Sequence, residues 1–374
     1  MYLSEIELRN FRNYEDRQVE FSPGINVFIG ENAQGKTNLL EAIYVLAMTR
    51  SHRTANDREL INWQAKEAMV KGTVIKQTGR VPLEVLLGTR GKRVKVNHLF
   101  QSRLSTYIGN LNVVLFAPED LALVKGVPQE RRQFMDTEFS QMSSRYLYAI
   151  SQFRGLLKQR NEYLKQLKYG SQVDQVLLEV LSDQLAESGA AVMAMRFKLL
   201  KRLETWSAQL HEHISQQKEV LKLKYISQVM IDEETAENEI AEQLQKLYHE
   251  HQSQEIKLGT TLYGPQRDDI RFLVNEQDVH RFGSQGQQRT TALAVKLAEI
   301  DLMNEQTGES PLLLLDDVLS ELDDDRQTHL LTAIQDKVQT FLTTTSLSGV
   351  ARQLINRPTI FQIAHGTIDK EDKK

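Results

Sequence analysis

Cysteine is absent from all 374 residues, which excludes disulfides, thiolate metal ligands and a thiol nucleophile, and makes redox chemistry on this chain an unpromising reading. No stretch approaches the roughly 18 apolar residues that a membrane-crossing helix needs. The first residues, MYLSEIELRN, carry Glu5, Glu7 and Arg9 where a secretory signal would be apolar. These absences predict a soluble, cytoplasmic protein with no membrane association. Ligand-like histidine spacing is missing too: His211 and His213 lie two apart on a predicted helix and point to different faces, so all nine histidines read as structural or surface residues.

What is present is a globular composition, 40% apolar and 26% charged, on a chain long enough for two domains. The net charge of -4 argues against a uniformly basic nucleic-acid binder, but it averages over two opposite segments. From Lys71 to Arg103 there are eight basic residues against Glu84 alone, and from Asp232 to Glu255 eight acidic residues against Lys246 alone. Either could be a solvated face, and the basic one could also meet an anionic partner.

The most informative stretch is GENAQGKT, comprising Gly30, Glu31, Asn32, Ala33, Gln34, Gly35, Lys36 and Thr37. It follows the apolar run Ile25 to Ile29 and leads through Asn38 into a helical spacing of Leu39, Leu40, Ile43 and Leu46. Strand, phosphate loop and helix are the context that G-x-x-x-x-G-K-[ST] requires. The glycines let backbone N–H groups curl around a triphosphate, Lys36 neutralises its β and γ phosphates, and Thr37 ligates Mg²⁺. An ordinary glycine turn would not need those flanks. Arg12, in RNFRNY between two predicted strands, is either a surface residue or one that reaches the nucleotide from the side.

Further along, Val70 to Val96 reads as antiparallel strands, with Gly88 to Gly91 closing a hairpin that holds much of the basic excess. From Pro128 the period turns helical. The spacing Leu178, Leu181, Leu185, Val192, Met195, Leu199, Leu203, Trp206 and Leu210 predicts a helix of about 50 Å, with Ser188-Gly189 as its weak point, packed on helices within 131–168. Strand and turn character returns at Gly259 to Asn275, where the chain is expected to rejoin its first domain. Ser284 to Arg289, SQGQQR, precedes an amphipathic helix over Thr290 to Met303. Leu312 to Leu315 is a buried strand ending in Asp316-Asp317, and Phe341 to Thr345 is another. A buried strand presenting two carboxylates at its end suits a phosphate-loop ATPase, Asp316 holding the Mg²⁺ shell and Asp317 orienting or deprotonating water.

The order of phosphate loop, SQGQQ, strand with Asp316-Asp317, and SELD (Ser320 to Asp323) resembles the ABC ATPase head. That resemblance implies a mixed β-sheet flanked by helices, with Ser284, Gly286 and Gln287 as the signature that closes over ATP held by a second subunit. The expected α/β architecture is an ATPase head over 1–128, including antiparallel strands, an inserted mainly helical lobe over 129–257, and the rest of the head, with signature, second carboxylate strand and D-loop, over 258–374. The insertion is too short for SMC arms. A transporter subunit is the main alternative, and a metabolic kinase has no use for SQGQQ and SELD.

PEDLALVKGVPQERRQFMD (Pro118 to Asp136), GPQRDD (Gly264 to Asp269), GSQGQQRT and LLLLDDVLSELDD together resemble the RecF family of bacterial recombination mediators, from RNFRNY to Ser346. The resemblance implies ATP and Mg²⁺ binding, an ATP-dependent homodimer, DNA binding at single-strand gaps, and action with RecR and RecO in loading recombinase. It carries the catalytic roles to Lys36, Asp316 and Asp317. Asp317 stands where most transporters have glutamate, threonine at 344 or 345 where they have a switch histidine, and no Q-loop glutamine is evident near Phe116; each suggests slow hydrolysis, a timer rather than a motor. Gln266 departs from the histidine expected in relatives, without an assignable consequence. DNA contact, once implied, points to Arg50, Arg53, Arg90, Lys92, Arg93 and Lys95 as phosphate-binding candidates.

Overall fold

The computed structural model describes residues 1–89, 91–170, 175–335, 337–346, 354–355 and 357–371. Its contacts divide the chain into Met1–Asp120 with Leu293–Lys374, and Leu121–Ala292.

The first unit contains two six-stranded sheets. One is antiparallel and joins β1 (Tyr2–Phe11), β2 (Tyr14–Glu20), β4 (Glu67–Lys76), β5 (Gly79–Gly88), β6 (Gly91–Val96) and β7 (Leu99–Phe100) in the order β2-β1-β4-β5-β6-β7. The other has the order β15-β14-β3-β13-β12-β8, from β3 (Ile25–Ile29), β8 (Val113–Phe116), β12 (Leu312–Asp316), β13 (Thr340–Thr344), β14 (Thr359–Ala364) and β15 (Thr367–Lys370), parallel except for β15. Helix α1 (Lys36–Met48) touches strands of both sheets and is buried at Lys36 and continuously from Leu39 to Met48. It therefore carries apolar residues on every side rather than in one stripe. Leu39, Leu40, Ile43 and Leu46 share a core with Ile6, Leu8, Val70 and Val85 of one sheet and Phe28, Leu314 and Phe341 of the other.

The second unit holds α2 (Ala122–Lys125), α3 (Pro128–Met142), α4 (Ser144–Lys168), α5 (Gln175–Ile214), α6 (Glu237–Glu250), α7 (Gln252–Leu258) and α8 (Val279–Phe282), with a three-stranded antiparallel sheet β11-β10-β9. Its strands are β9 (Leu221–Ile226), β10 (Asp269–Val274) and β11 (Gln277–Asp278). Helix α5 is 40 residues, about 60 Å, and runs unbroken through Ser188-Gly189. Gly189 is no weak point because it faces Phe153 of α4 and Leu244 of α6 at close range. Helix α9 (Gln285–Thr307) contributes its residues up to Ala292 here and the remainder to the first unit, where α10 (Val318–Glu321) and α11 (Asp324–Ile334) follow β12.

The expected return to the head at 258 differs from this division. β10 pairs with β9 and β11 and, among the described residues, with no strand of the first unit, so the chain stays in the second unit until Ala292. β9 itself went unforeseen, although Leu221, Leu223 and Tyr225 alternate with Lys222 and Lys224 as a half-buried strand should.

Candidate functional site

Strand β3 lies between β13 and β14, parallel to both, and delivers Gly30 at its carboxyl end. A Cβ on Gly30 would stand 2.2 Å from the carbonyl oxygen of Ile363, so no side chain fits. Gly35 has φ of 120°, and a Cβ there would meet the Asn13 amide at 2.7 Å and the Tyr14 hydroxyl at 2.9 Å. The same neighbours hold the loop. The buried Tyr14 hydroxyl donates to the Gly35 carbonyl (2.9 Å), Asn13 Nδ2 to the Gln34 carbonyl (3.2 Å), and the His365 N–H to Gln34 Oε1 (2.7 Å).

No side chain caps α1 and its first turn carries no acid, in contrast to α4 and α11, which Ser143 and Asp323 cap. Its leading N–H groups are therefore left to an anion, which the positive end of the helix favours. Lys36 is 8% exposed, and its Nζ donates to the carbonyls of Gly30 (2.6 Å) and Glu31 (2.8 Å), which holds the ammonium over the loop. Burial pushes its pKa down, against the pull of Asp317 and Asp316. Glu31, Asn32 and Ala33 are exposed at the loop's crest.

Asp316 ends β12 and is buried; its Oδ1 accepts from the hydroxyls of Thr37 (3.0 Å) and Thr343 (2.8 Å). A hydroxyl beside a carboxylate is a donor set for a hard divalent cation such as Mg²⁺, which completes its shell with water and phosphate oxygens. No group of three or more acidic or histidine side chains suited to a metal occurs among the described residues. Asp317 follows in the left-handed conformation, φ 54°, its N–H donating to Thr343 Oγ1 (2.9 Å) and its side chain exposed. That strained backbone separates the two carboxylates into a buried one and an open one. Thr344 donates to the Ser346 carbonyl (2.8 Å).

Arg12 is more committed than the sequence implied. Its Nε and Nη2 grip both oxygens of Glu41 (2.8 and 2.9 Å), and Nη1 donates to the Glu59 carbonyl (2.8 Å). Glu41 is wholly buried in α1; burial works to raise its pKa, but hydrogen bonds from Arg12 and Ser51 hold it below the usual carboxylate range. Arg53 approaches the same carboxylate (3.8 Å) and donates to Asn38 Oδ1 (3.2 Å). The sequence signal was an acid inside the apolar run of α1. Beside these residues opens a groove of ≈ 1290 Å³, lined by Asn13, Asn38, Arg58 and Trp63 among others. Trp63 is fully exposed, which sequence reasoning passed over. His52 lies within electrostatic reach of Glu41, Asp316 and Glu119; burial lowers its pKa against their pull.

The residues expected to form the signature lie in the second unit. Ser284 precedes α9, and its Oγ accepts from the Gln287 N–H (3.2 Å) while Gln287 Oε1 accepts from the Ser284 N–H (2.9 Å). This reciprocal cap starts the helix at Gln285, earlier than the expected Thr290, and sets Gly286 in its first turn. Ser284 is exposed, and so is Phe282 at 71%.

Among the phosphate-binding candidates, Lys95 pairs with Glu84 (2.8 Å) directly across the strands, and Lys92 with Asp57 (3.0 Å) and the Thr49 carbonyl (2.6 Å). Arg93 is exposed and lies over the Phe100 ring at 5.9 Å. Arg50 is exposed, and Arg90 lies outside the described residues. The local basic count therefore overstates the free charge of this hairpin.

A phosphate loop following a strand flanked by two parallel ones, and a strand of the same sheet, one removed from it, that runs into Asp316-Asp317, define an ABC-type ATPase head, to which the capped helix start at Ser284 is suited as the signature. The profile of the AAA ATPase domain matches residues 1–345. A Pyrococcus furiosus Smc head, at TM-score 0.56 and 17% identity over 99% of this chain and 96% of that one, shares the fold. Relatives narrow the class. The chain is 69% identical to the DNA replication and repair protein RecF of Limosilactobacillus fermentum and 65% to that of Limosilactobacillus reuteri, over 100% of each chain. The solved structure of the recombination mediator RecF with ATP, in the RecFOR pathway, superposes at TM-score 0.92 with 35% identity, covering 99% of this chain and 98% of that one. The chain belongs to the RecF family of DNA replication and repair proteins, and its head is that of an ATP-binding ATPase.

Proposed function

We infer that ATP acts as a removable joint between two copies of this chain, and that the joined form binds DNA. The observation that carries this reading is the presence of two incomplete halves: a phosphate loop with buried Lys36 and no side-chain cap on its helix in one unit, and in the other a capped helix start presenting Ser284 and Gly286 beside the exposed Phe282. Lys36 and the amides of Gly30 to Asn38 bind the phosphates. Thr37 and Asp316 hold Mg²⁺, which offsets phosphate charge when bound. Ser284, Gly286 and Gln287 of a second chain close over the γ-phosphate, so ATP stabilises the dimer by mass action. The adenine lies in the groove against Trp63, whose open ring offers a stacking surface.

Asp317, exposed at the end of β12, orients the attacking water. It is one methylene shorter than glutamate, and its backbone is fixed by Thr343, which favours slow hydrolysis that resets the dimer. Arg12 contributes by fixing Glu41 and the loop flank rather than by touching phosphate. Arg93 meets the DNA backbone together with Arg50 and Arg53, whose segment is reached by Lys92 at the Thr49 carbonyl, while Lys92 and Lys95 do so only by exchanging carboxylate partners. The reading extends to loading recombinase at single-strand gaps together with RecR and RecO, in line with the relative described as a mediator of the RecFOR pathway.

The test follows oligomeric state and duplex binding together, with ATP, ADP or no nucleotide, for the wild type, Lys36→Arg and Ser284→Arg. ATP is expected to produce a DNA-binding dimer. Ser284→Arg should bind nucleotide yet remain monomeric. A DNA-binding monomer indifferent to nucleotide would contradict the reading.

A further inference from the structure

Charged residues face one another across strands of both antiparallel sheets, and on the six-stranded sheet they are accommodated: Glu5, opposite Glu20, accepts hydrogen bonds from Thr73 (2.8 Å) and Gln18 (3.3 Å). Across the six-stranded antiparallel sheet, lysines stand opposite glutamates: Lys71 pairs with Glu7 (2.9 Å) and Lys95 with Glu84 (2.8 Å), each in direct register. On the three-stranded sheet of the second unit, Lys224 of β9 stands directly opposite Arg271 of β10. Both side chains are exposed, and neither has a carboxylate within ion-pair distance among the described residues. Facing like charges on adjacent strands are destabilising. Lys222, next on the same face, does have a partner, Glu276, and the other acids flanking the face are committed: Asp269 to Arg131 (2.6 Å) and Asp278 to capping α8.

The alternation along β9 fixes the orientation. Leu221 and Leu223 are buried on the side where α5 packs, and Glu204 of α5 accepts the Leu223 N–H (3.1 Å), so Lys222 and Lys224 project from the opposite face. They stand about 7 Å apart along the strand. The near end of the sheet is tied to the signature helix. Val220 and Asn275 exchange hydrogen bonds, and Gln287 Nε2 donates to Glu219 Oε1 (2.8 Å), two residues before β9 begins.

We propose that this face, through Lys224 and Arg271 with Lys222 beside them, is a contact for the phosphate backbone of nucleic acid, separate from the β5–β6 hairpin. Bound phosphates would remove the repulsion between the two cations. They would also rest on the sheet to which the signature residue Gln287 is tied. The proposal rests on the reading that the chain binds DNA.

The experiment measures the affinity of a labelled gapped duplex by fluorescence anisotropy, with ATP, across a salt series. It compares the wild type, Lys224→Glu/Arg271→Glu, Lys224→Gln/Arg271→Gln, and Arg80→Glu as an exposed cation elsewhere. Circular dichroism, ATP binding and ATP-dependent dimerisation report folding and the intact joint. The reversed pair is expected to weaken binding at least roughly tenfold and lower the slope of log affinity against log salt by about 2. The neutral pair should show the same change in slope, and Arg80→Glu little. An unchanged affinity and slope in both pairs would overturn the proposal while leaving the DNA-binding reading standing, and so would weaker binding at an unchanged slope. Failure of the wild type to bind DNA in any nucleotide state would overturn both.

Discussion

Asp268, in the GPQRDD stretch, provides a prediction whose size follows from its surroundings. Its Oδ2 accepts from the Tyr225 hydroxyl, Arg196 stands 3.7 Å away, Ser227 also acts on the carboxylate, and its Oδ1 is buried with no close hydrogen-bond partner among the described residues. Burial pushes its pKa up to about 6, with Arg196 and Tyr225 opposing. The ordinary value, about 3.9, applies when the chain is unfolded, so the folded state binds this proton more tightly. Its contribution is complete below about pH 4 and is lost as pH rises through about 6. Two units of difference correspond to roughly 3 kcal/mol. Asp268→Asn keeps the shape and removes the titration. The stability of the wild type relative to this variant should therefore fall by about that amount between pH 4 and 7. Urea unfolding read by Trp206, half-buried in α5, measures it; a Trp63→Phe background removes the fully exposed second tryptophan. Parallel stability curves for the two proteins would refute a raised pKa at Asp268.

Three further outcomes are expected. Asp317→Asn should retain ATP binding and dimerisation while steady-state hydrolysis drops by roughly 10²-fold or more, the usual weight of a positioned base. Trp63→Ala should raise the Kd for ATP several-fold and leave the folding transition in place, which isothermal titration beside thermal melting can separate. Arg160 and Glu255 are both fully buried and joined at 2.6 Å. Arg160→Met should destabilise the second unit by about 3–5 kcal/mol, and adding Glu255→Leu should recover much of it, because the loss comes from stranding a buried charge.

The local parts of this site were legible in the sequence: a strand, Gly30 to Thr37, a helix, and a leucine strand ending in Asp316-Asp317 all occur where the residues placed them. Gly30 and Gly35 can be read because steric exclusion and positive φ act at single positions. Register could not be read. The eight basic residues from Lys71 to Arg103 were countable, but the facing of Lys71 by Glu7 and of Lys95 by Glu84 is set by strand pairing. Burial of Glu41 depends on Arg12 arriving from another element, and the persistence of α5 through Gly189 depends on what α4 and α6 place against it. The end of the inserted lobe was misplaced for the same reason: GTTLYGPQRDD signals turn and strand, but not which sheet that strand joins.

The lack of cysteine makes the central claim directly measurable, since any introduced thiol is unique. One preparation carries Asn32→Cys, at the exposed crest of the phosphate loop, and a differently tagged one carries Phe282→Cys, beside the signature. The two are mixed with ATP, ADP or no nucleotide and treated with a short bismaleimide. A cross-linked pair containing both tags and formed only with ATP is the predicted result. Cross-linking that is equally efficient without nucleotide, or absent while ATP is bound, would contradict the claim that ATP joins the loop of one chain to the signature of another.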